Sequence, residues 1–135
     1  MKQFRDTPYY ITEEGKVFRH YPKTKTKYYA YWPDGKLRST SMYVKEEKWN
    51  PVKASLRRDG YLVFNFKNVD GKKFLNISSH QMVAECYVDG WFEGAEVDHI
   101  DCNKQNNHYT NLQWCTPTYN RKKGNNVNYP LFVQI

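Results

Sequence analysis

Ala95-Glu96-Val97-Asp98-His99-Ile100, then a polar run from Asp101 to Asn111, then Leu112-Gln113-Trp114-Cys115 and Thr116-Pro117 make up the stretch that decides the fold. The first six residues read as a short strand and Leu112 to Cys115 as its returning partner, with the Asn-rich segment between them a long loop. Thr116 offers a capping hydroxyl and Pro117 a residue tolerated in a first helical turn, so a short helix is expected from about Thr118 to Lys123. The order is therefore strand, loop, strand, helix. It puts Asp98 and His99 at the end of one strand and Asn120 on the helix that follows.

Working upstream, Ser78-Ser79-His80-Gln81 carries a capping-box pattern, and Val83, Ala84 and Tyr87 form an apolar stripe, so a second helix is expected here, ending at Asp89-Gly90. Before it, Gly60 to Phe66 and Lys73 to Ile77 read as strands joined through Asn68-Val69-Asp70-Gly71, where Asp-Gly favours a tight turn. Near the N-terminus, Tyr9 to Thr12 and Lys16 to Arg19 flank Glu13-Glu14-Gly15 as a further hairpin. Between these lies Lys23-Thr24-Lys25-Thr26-Lys27, followed by Tyr28, Tyr29, Tyr31 and Trp32 and a Pro33-Asp34-Gly35 turn, consistent with another hairpin. Its rings admit two readings, a surface laid along a nucleic-acid backbone or the buried face of a small sheet; strand alternation separates rings from polar residues in either case. The fold class is α+β, with an N-terminal antiparallel β module over residues 1–77, a strand–strand–helix core over 78–124 and a C-terminal tail over 125–135 that packs on the core.

The chain has 135 residues, 39% of them hydrophobic and 17% aromatic, which suits one domain or two small fused modules with a buried core and argues against disorder. It has no apolar run of membrane-spanning length and no apolar segment behind Met1-Lys2-Gln3, so an intracellular, cytoplasmic protein without a membrane partner is expected. Cys86, Cys102 and Cys115 contain no C-x-x-C pair and are expected to be reduced thiols. The net charge of +7 is unevenly spread: residues 1–78 hold 17 Lys and Arg against 8 Asp and Glu, whereas residues 79–120 hold Lys104 alone against six acids. A basic, ring-rich front beside an acidic centre suits polyanion binding next to a metal site, because phosphates attract Lys and Arg while hard cations attract carboxylates. Arg57-Arg58, in a turn before a strand, and Arg121-Lys122-Lys123, directly after Asn120, join Lys23, Lys25 and Lys27 as the expected phosphate contacts.

Hydrolysis of a phosphodiester needs a water made nucleophilic at neutral pH and a cation to offset charge on the phosphorane and the leaving 3′ oxygen. Asp98 supplies a hard carboxylate and Asn120 a neutral amide oxygen, an oxygen pair that leaves room for waters and phosphate, as Mg²⁺ or Mn²⁺ prefers. His99, of a residue type whose unperturbed pKa is about 6.5, is the candidate general base. Neighbours on a strand face opposite ways, so Asp98 and His99 share one site only if the strand ends or bends there.

Val97-Asp98-His99-Ile100-Asp101, Asn106-Asn107, Asn111-Leu112-Gln113-Trp114 and Asn120 together resemble the HNH nuclease motif on a ββα-metal fold, closest to the short HNH homing endonucleases of phages and introns. Ser79 to Val88 is similar to the helix preceding that motif. Tyr10 to Val17 and Asp59 to Leu62 are similar to the family's N-terminal DNA-contacting module, whereas residues 20–48 resemble no known segment. The resemblance implies a metal-dependent DNA endonuclease acting on double-stranded DNA as a monomer or homodimer, with Asp98 and Asn120 as metal ligands and His99 as base. It also gives Asn111 the task of steadying the loop and helping to hold the catalytic histidine. The chain departs from the family name in having Asn120 in place of a third histidine, and it lacks zinc-staple cysteines. A DNA-binding protein with a degenerate nuclease centre and an RNA-directed nuclease are the competing readings.

Overall fold

In this computed structural model the described residues are 1–69 and 72–133. Strands β1 (Lys2–Gln3), β2 (Tyr9–Ile11), β3 (Val17–Tyr21) and β6 (Lys48–Val52) form one antiparallel sheet in the order β1-β2-β3-β6. The β2–β3 turn needs Gly15, whose φ of +92° is open to few other residues. Strands β7 (Ser55–Leu56), β8 (Leu62–Val69) and β9 (Lys72–Ser78) make a second sheet, and the expected Asp70-Gly71 turn lies outside the described residues. Along β8, Phe64 and Phe66 are buried while Asn65 and Lys67 are exposed, the alternation of a half-covered strand.

Helix α1 (Ser79–Tyr87) leaves β9 without a linker. Ser78 caps it by accepting from the Gln81 amide at 3.4 Å, and Met82, Val83 and Ala84 are fully buried beneath it. Strand β10 (Glu96–His99) pairs with β11 (Leu112–Cys115) in the register Asp98–Gln113 and His99–Leu112, and α2 (Pro117–Lys123) follows with Thr116 as its cap. The strand, loop, strand, helix order is thus as read from sequence. A single apolar cluster draws Phe4, Tyr9, Ile11 and Val17 from the N-terminal sheet, Phe64, Phe66 and Ile77 from the second, and Met82, Val83 and Leu112 from α1 and β11. The Tyr9 and Phe66 rings stack at 4.0 Å and tie the two sheets together. None of the described helices is long and apolar enough to cross a membrane.

Strands β4 (Thr24–Tyr31) and β5 (Leu37–Lys45) form a separate two-stranded hairpin, and every one of their residues is exposed. Of the two readings of this segment, the buried face is therefore excluded. The C-terminal tail packs on the core without joining a sheet among the described residues. Phe132 sits against Tyr119 and Phe92 at ring distances of 5.3 and 6.0 Å, and its amide donates to Gln113 Oε1.

Candidate active site

Strand β10 ends at His99, so the backbone leaves the sheet just where two neighbouring side chains must serve one site. Asp98, His99 and Asn120 line the same small open cleft, together with Tyr61, Cys102 and Lys104. Asp98 is buried, with 6% of its surface exposed, which requires its charge to be matched. The match comes from Lys123, whose ammonium lies 2.7 Å from Asp98 Oδ2, and from Gln113 Nε2, which donates to the same oxygen at 2.8 Å. Asp98 Oδ1 forms no hydrogen bond among the described residues.

Lys123 is a correction to the sequence reading. Expected as a phosphate contact beside Arg121 and Lys122, it is instead 3% exposed and donates to Asp98 Oδ2 and to the carbonyls of His99 and Ile100. It closes the end of β10 against α2, while Arg121 and Lys122 remain exposed on the same helix.

His99 is also buried, and its ring is held on both sides. Its Nε2–H donates to Asn107 Oδ1 at 2.8 Å, which leaves Nδ1 with the lone pair. Tyr61 stacks on the ring at 5.8 Å and His80 meets it edge-on at 4.9 Å. Burial lowers the His99 pKa below 6.5, against opposing pulls from the Asn107 hydrogen bond and from Asp98. His80 is pushed lower still, to about 4, first by burial and then by His99 and Arg57. A neutral, base-competent His99 is the result at neutral pH.

Asn120 donates from Nδ2 to Glu96 Oε2 at 3.0 Å, which fixes the amide and leaves Oδ1 as its free acceptor. Among the described residues no group of three or more His, Cys, Asp or Glu is placed to hold a metal. Two oxygens, Asp98 Oδ1 and Asn120 Oδ1, in one cleft fit a hard cation that keeps most of its positions for water and phosphate.

Asn111 does not touch the His99 ring. It donates to Asp101 Oδ1 at 2.8 Å and to the Asn106 carbonyl at 2.9 Å, and its Oδ1 accepts from the Asp101 amide, so it staples the loop. The side chain that hydrogen-bonds the His99 ring directly is Asn107, on the loop that Asn111 staples. Asp101 and Asn103 also accept from the amides of Asn103 and Gln105, so these side chains close successive turns.

The N-terminal sheet reaches this loop directly. The Tyr109 amide donates to the Glu13 carbonyl, and Ser79 Oγ to the Gly15 carbonyl, each at 2.9 Å. A Cβ on Gly15 would strike Ser79 Oγ and approach Asn107 Cβ to 3.1 Å. Of the expected phosphate contacts, Lys23, Lys25 and Lys27 belong to the base and first strand of the exposed hairpin, and Arg58 is exposed. Arg57 pairs with Asp59 at 2.8 Å and lies over Tyr61. Sequence reasoning missed Lys104, whose ammonium is 5.0 Å from the Tyr61 ring and donates to the Asp59 carbonyl at the cleft wall. The three thiols are free, and burial raises that of Cys115 to about 12, which makes it inert as a nucleophile.

Comparison with known proteins bears on this geometry. Residues 80–122 match the family model described as HNH endonuclease. The chain is 42% identical over 69 residues to an uncharacterized HNH endonuclease of Acanthamoeba polyphaga mimivirus, covering 51% of this chain and 20% of that protein. It is 41% identical over 70 residues to the DNA endonuclease I-HmuI of Bacillus phage SP01, covering 51% of this chain and 38% of the relative. The chain thus spans well under half the length of these two relatives. The structure titled "DNA binding and cleavage by the HNH homing endonuclease I-HmuI" superposes with a TM-score of 0.62 at 26% identity, over 90% of this chain and 55% of that one, so the mixed α+β fold is shared.

Proposed function

With an HNH endonuclease domain at residues 80–122 as premise, we propose that the chain is a metal-dependent endonuclease that hydrolyses a phosphodiester bond of double-stranded DNA. The observation that carries this reading is that His99, Asp98 and Asn120 line one open cleft, while His99 Nδ1, Asp98 Oδ1 and Asn120 Oδ1 are engaged in no hydrogen bond among the described residues. The similarity to a protein named a DNA endonuclease supports DNA as the substrate.

His99 takes the proton from the attacking water at Nδ1, and Asn107 holds the ring in the tautomer that makes this possible. Asp98 and Asn120 would hold a divalent cation, Mg²⁺ or Mn²⁺, which supplies charge stabilisation at the phosphate and at the leaving 3′ oxygen when bound. Lys123 pairs with Asp98 Oδ2 and Gln113 donates to the same oxygen, which together aim the carboxylate, and Glu96 orients Asn120. Asn111 steadies the loop that presents Asn107. Lys104 in the cleft lining, Arg57 over Tyr61 and the exposed Arg58, Arg121 and Lys122 supply cations for the flanking phosphates, and Lys23, Lys25 and Lys27 extend that contact outward. The protein nicks as a monomer or cuts both strands as a homodimer.

The test is supercoiled plasmid incubated with purified protein in Mg²⁺, in Mn²⁺ or in EDTA, beside His99→Ala. Open-circle or linear product should form with wild type and metal only. Equal cleavage by the two proteins would remove His99 from catalysis, and binding without any cleavage would leave a degenerate centre as the better account.

A further inference from the structure

The β4–β5 hairpin has no task in the chemistry above, yet it is built in an unusual way. Two strands of 8 and 9 residues pair with each other in a sheet of their own, and each residue in both is exposed. Isolated two-stranded ribbons are marginal in water, and a monomer rarely leaves many rings uncovered in one place. Here Tyr28, Tyr29, Tyr31, Trp32 and Tyr43 are each more than half exposed. The tip is nonetheless well formed. Trp32 and Lys36 exchange a backbone hydrogen bond of 2.7 Å, Asp34 Oδ1 accepts from the Lys36 amide, Gly35 has φ +86°, and Arg38 covers the Trp32 ring at 4.9 Å.

Charge identifies what covers it. Residues 23–45 contain six Lys and Arg against the single acid Asp34. A second copy would set two such ribbons against each other, whereas a polyanion is attracted along the whole length. The register divides the side chains between two faces. One carries Thr24, Thr26, Tyr28, Ser39, Ser41 and Tyr43, six hydroxyls, together with Ala30 and Lys45; the other carries Lys25, Lys27, Tyr29, Thr40, Met42 and Val44. A two-stranded ribbon fits the major groove, about 12 Å wide, and not the minor groove, about 6 Å wide. At roughly 3.3 Å per residue its eight-residue strand is about 26 Å long. That is several times the groove depth of about 8.5 Å, so the ribbon would lie along the groove.

We propose that the β4–β5 hairpin lies in the major groove of duplex DNA as a reading ribbon, its hydroxyl face toward the base edges and Lys25, Lys27 and Arg38 on the bordering phosphates. This rests on the DNA-endonuclease reading for the class of partner and adds a second contact region to it. Serine and threonine hydroxyls donate to or accept from any base edge, so they suit the groove floor, while the long lysines reach the phosphate walls.

The experiment measures binding of His99→Ala protein, which leaves the DNA intact, to two random-sequence duplex pools. One pool is unmodified; in the other every cytosine carries a glucosylated 5-hydroxymethyl group that fills the major groove. The same measurement is made with the hairpin shortened by replacing residues 27–42 with Asn-Gly, and with Lys25, Lys27 and Arg38 all changed to Ala as a variant confined to exposed positions. Glucosylation should weaken binding by the full-length protein at least tenfold and binding by the shortened one by less than about threefold, and the triple variant should lower the salt slope by about 0.9 for each cation removed. Equal sensitivity of full-length and shortened protein to glucosylation would overturn the proposal. So would preferential binding to single strands, or a dimer that becomes a monomer on shortening with DNA affinity unchanged. Because no readout here is cleavage, failure of plasmid nicking with this pattern intact would count against the nuclease reading alone, and the converse against the ribbon alone.

Discussion

Lys122 and Lys123 stand side by side on one helix, yet they answer to different physics. Lys123 and Asp98 form an ion pair with side-chain exposures of 2% and 7%, and removing one partner leaves the other charged and buried. Lys123→Met should therefore cost about 3–5 kcal/mol, read as a large fall in the thermal midpoint. Lys122→Ala should change stability by no more than about 0.5 kcal/mol, while lowering the salt slope of DNA binding by about 0.9. A second contrast concerns Asn107 and His99. Asn107→Ala frees the ring, so cleavage should fall by up to about 10²-fold with the Mg²⁺ requirement unchanged. Since burial holds the His99 pKa below 6.5 and the base must be neutral, the acid limb of kcat/KM should be centred below pH 6.5. An acid limb centred above 6.5 would mean that another group is the base.

Elements cooperate here through one turn. Gly15 joins β2 to β3, packs on Ser79 at the start of α1 and approaches Asn107, so the N-terminal sheet braces the loop that holds the His99 ring. Gly15→Ala must adopt a positive φ and displace Ser79 or Asn107. It should destabilise the fold by about 1–3 kcal/mol and lower cleavage more than duplex binding, measured by melting and by single-turnover rate. The strand, loop, strand, helix unit was legible because its signals are local: alternation in β10 and β11, the Thr116-Pro117 start and the Ser78 cap. The parts that were not legible depend on distance in the chain. Tyr61 and His80 reach His99 from β8's approach and from α1, and nothing in their neighbours announces it. Among the asparagines of the loop, residue type does not distinguish the one facing His99 from those that close turns. A positive charge in sequence likewise does not disclose that Lys123 is inside. For the hairpin, alternation was the same for a buried and an exposed ring face, and only the absence of a covering element decides between them.

At the scale of the whole molecule, a net +7 resolves into an exposed cationic ribbon and a cleft in which the buried Asp98 is matched by Lys123. His80 is half-buried and His99 buried, and both have lowered pKa values, His80 to about 4. A group whose folded pKa lies below its unfolded value contributes stability above the unfolded pKa that is lost as pH falls toward the folded one. The melting temperature should therefore decline between pH 6.5 and about 4, and His80→Phe should flatten that decline; an unchanged slope would show that His80 is neutral for another reason. The division of labour inside the cleft is open to a single measurement, the single-turnover cleavage rate as a function of Mg²⁺ for wild type, His99→Ala and Asn120→Ala. Asn120→Ala should need a higher Mg²⁺ concentration for half its maximal rate, whereas His99→Ala should keep the wild-type half-saturation point and lose its maximal rate. Coincident Mg²⁺ curves for wild type and Asn120→Ala, or a wild-type maximal rate in His99→Ala, would contradict the account.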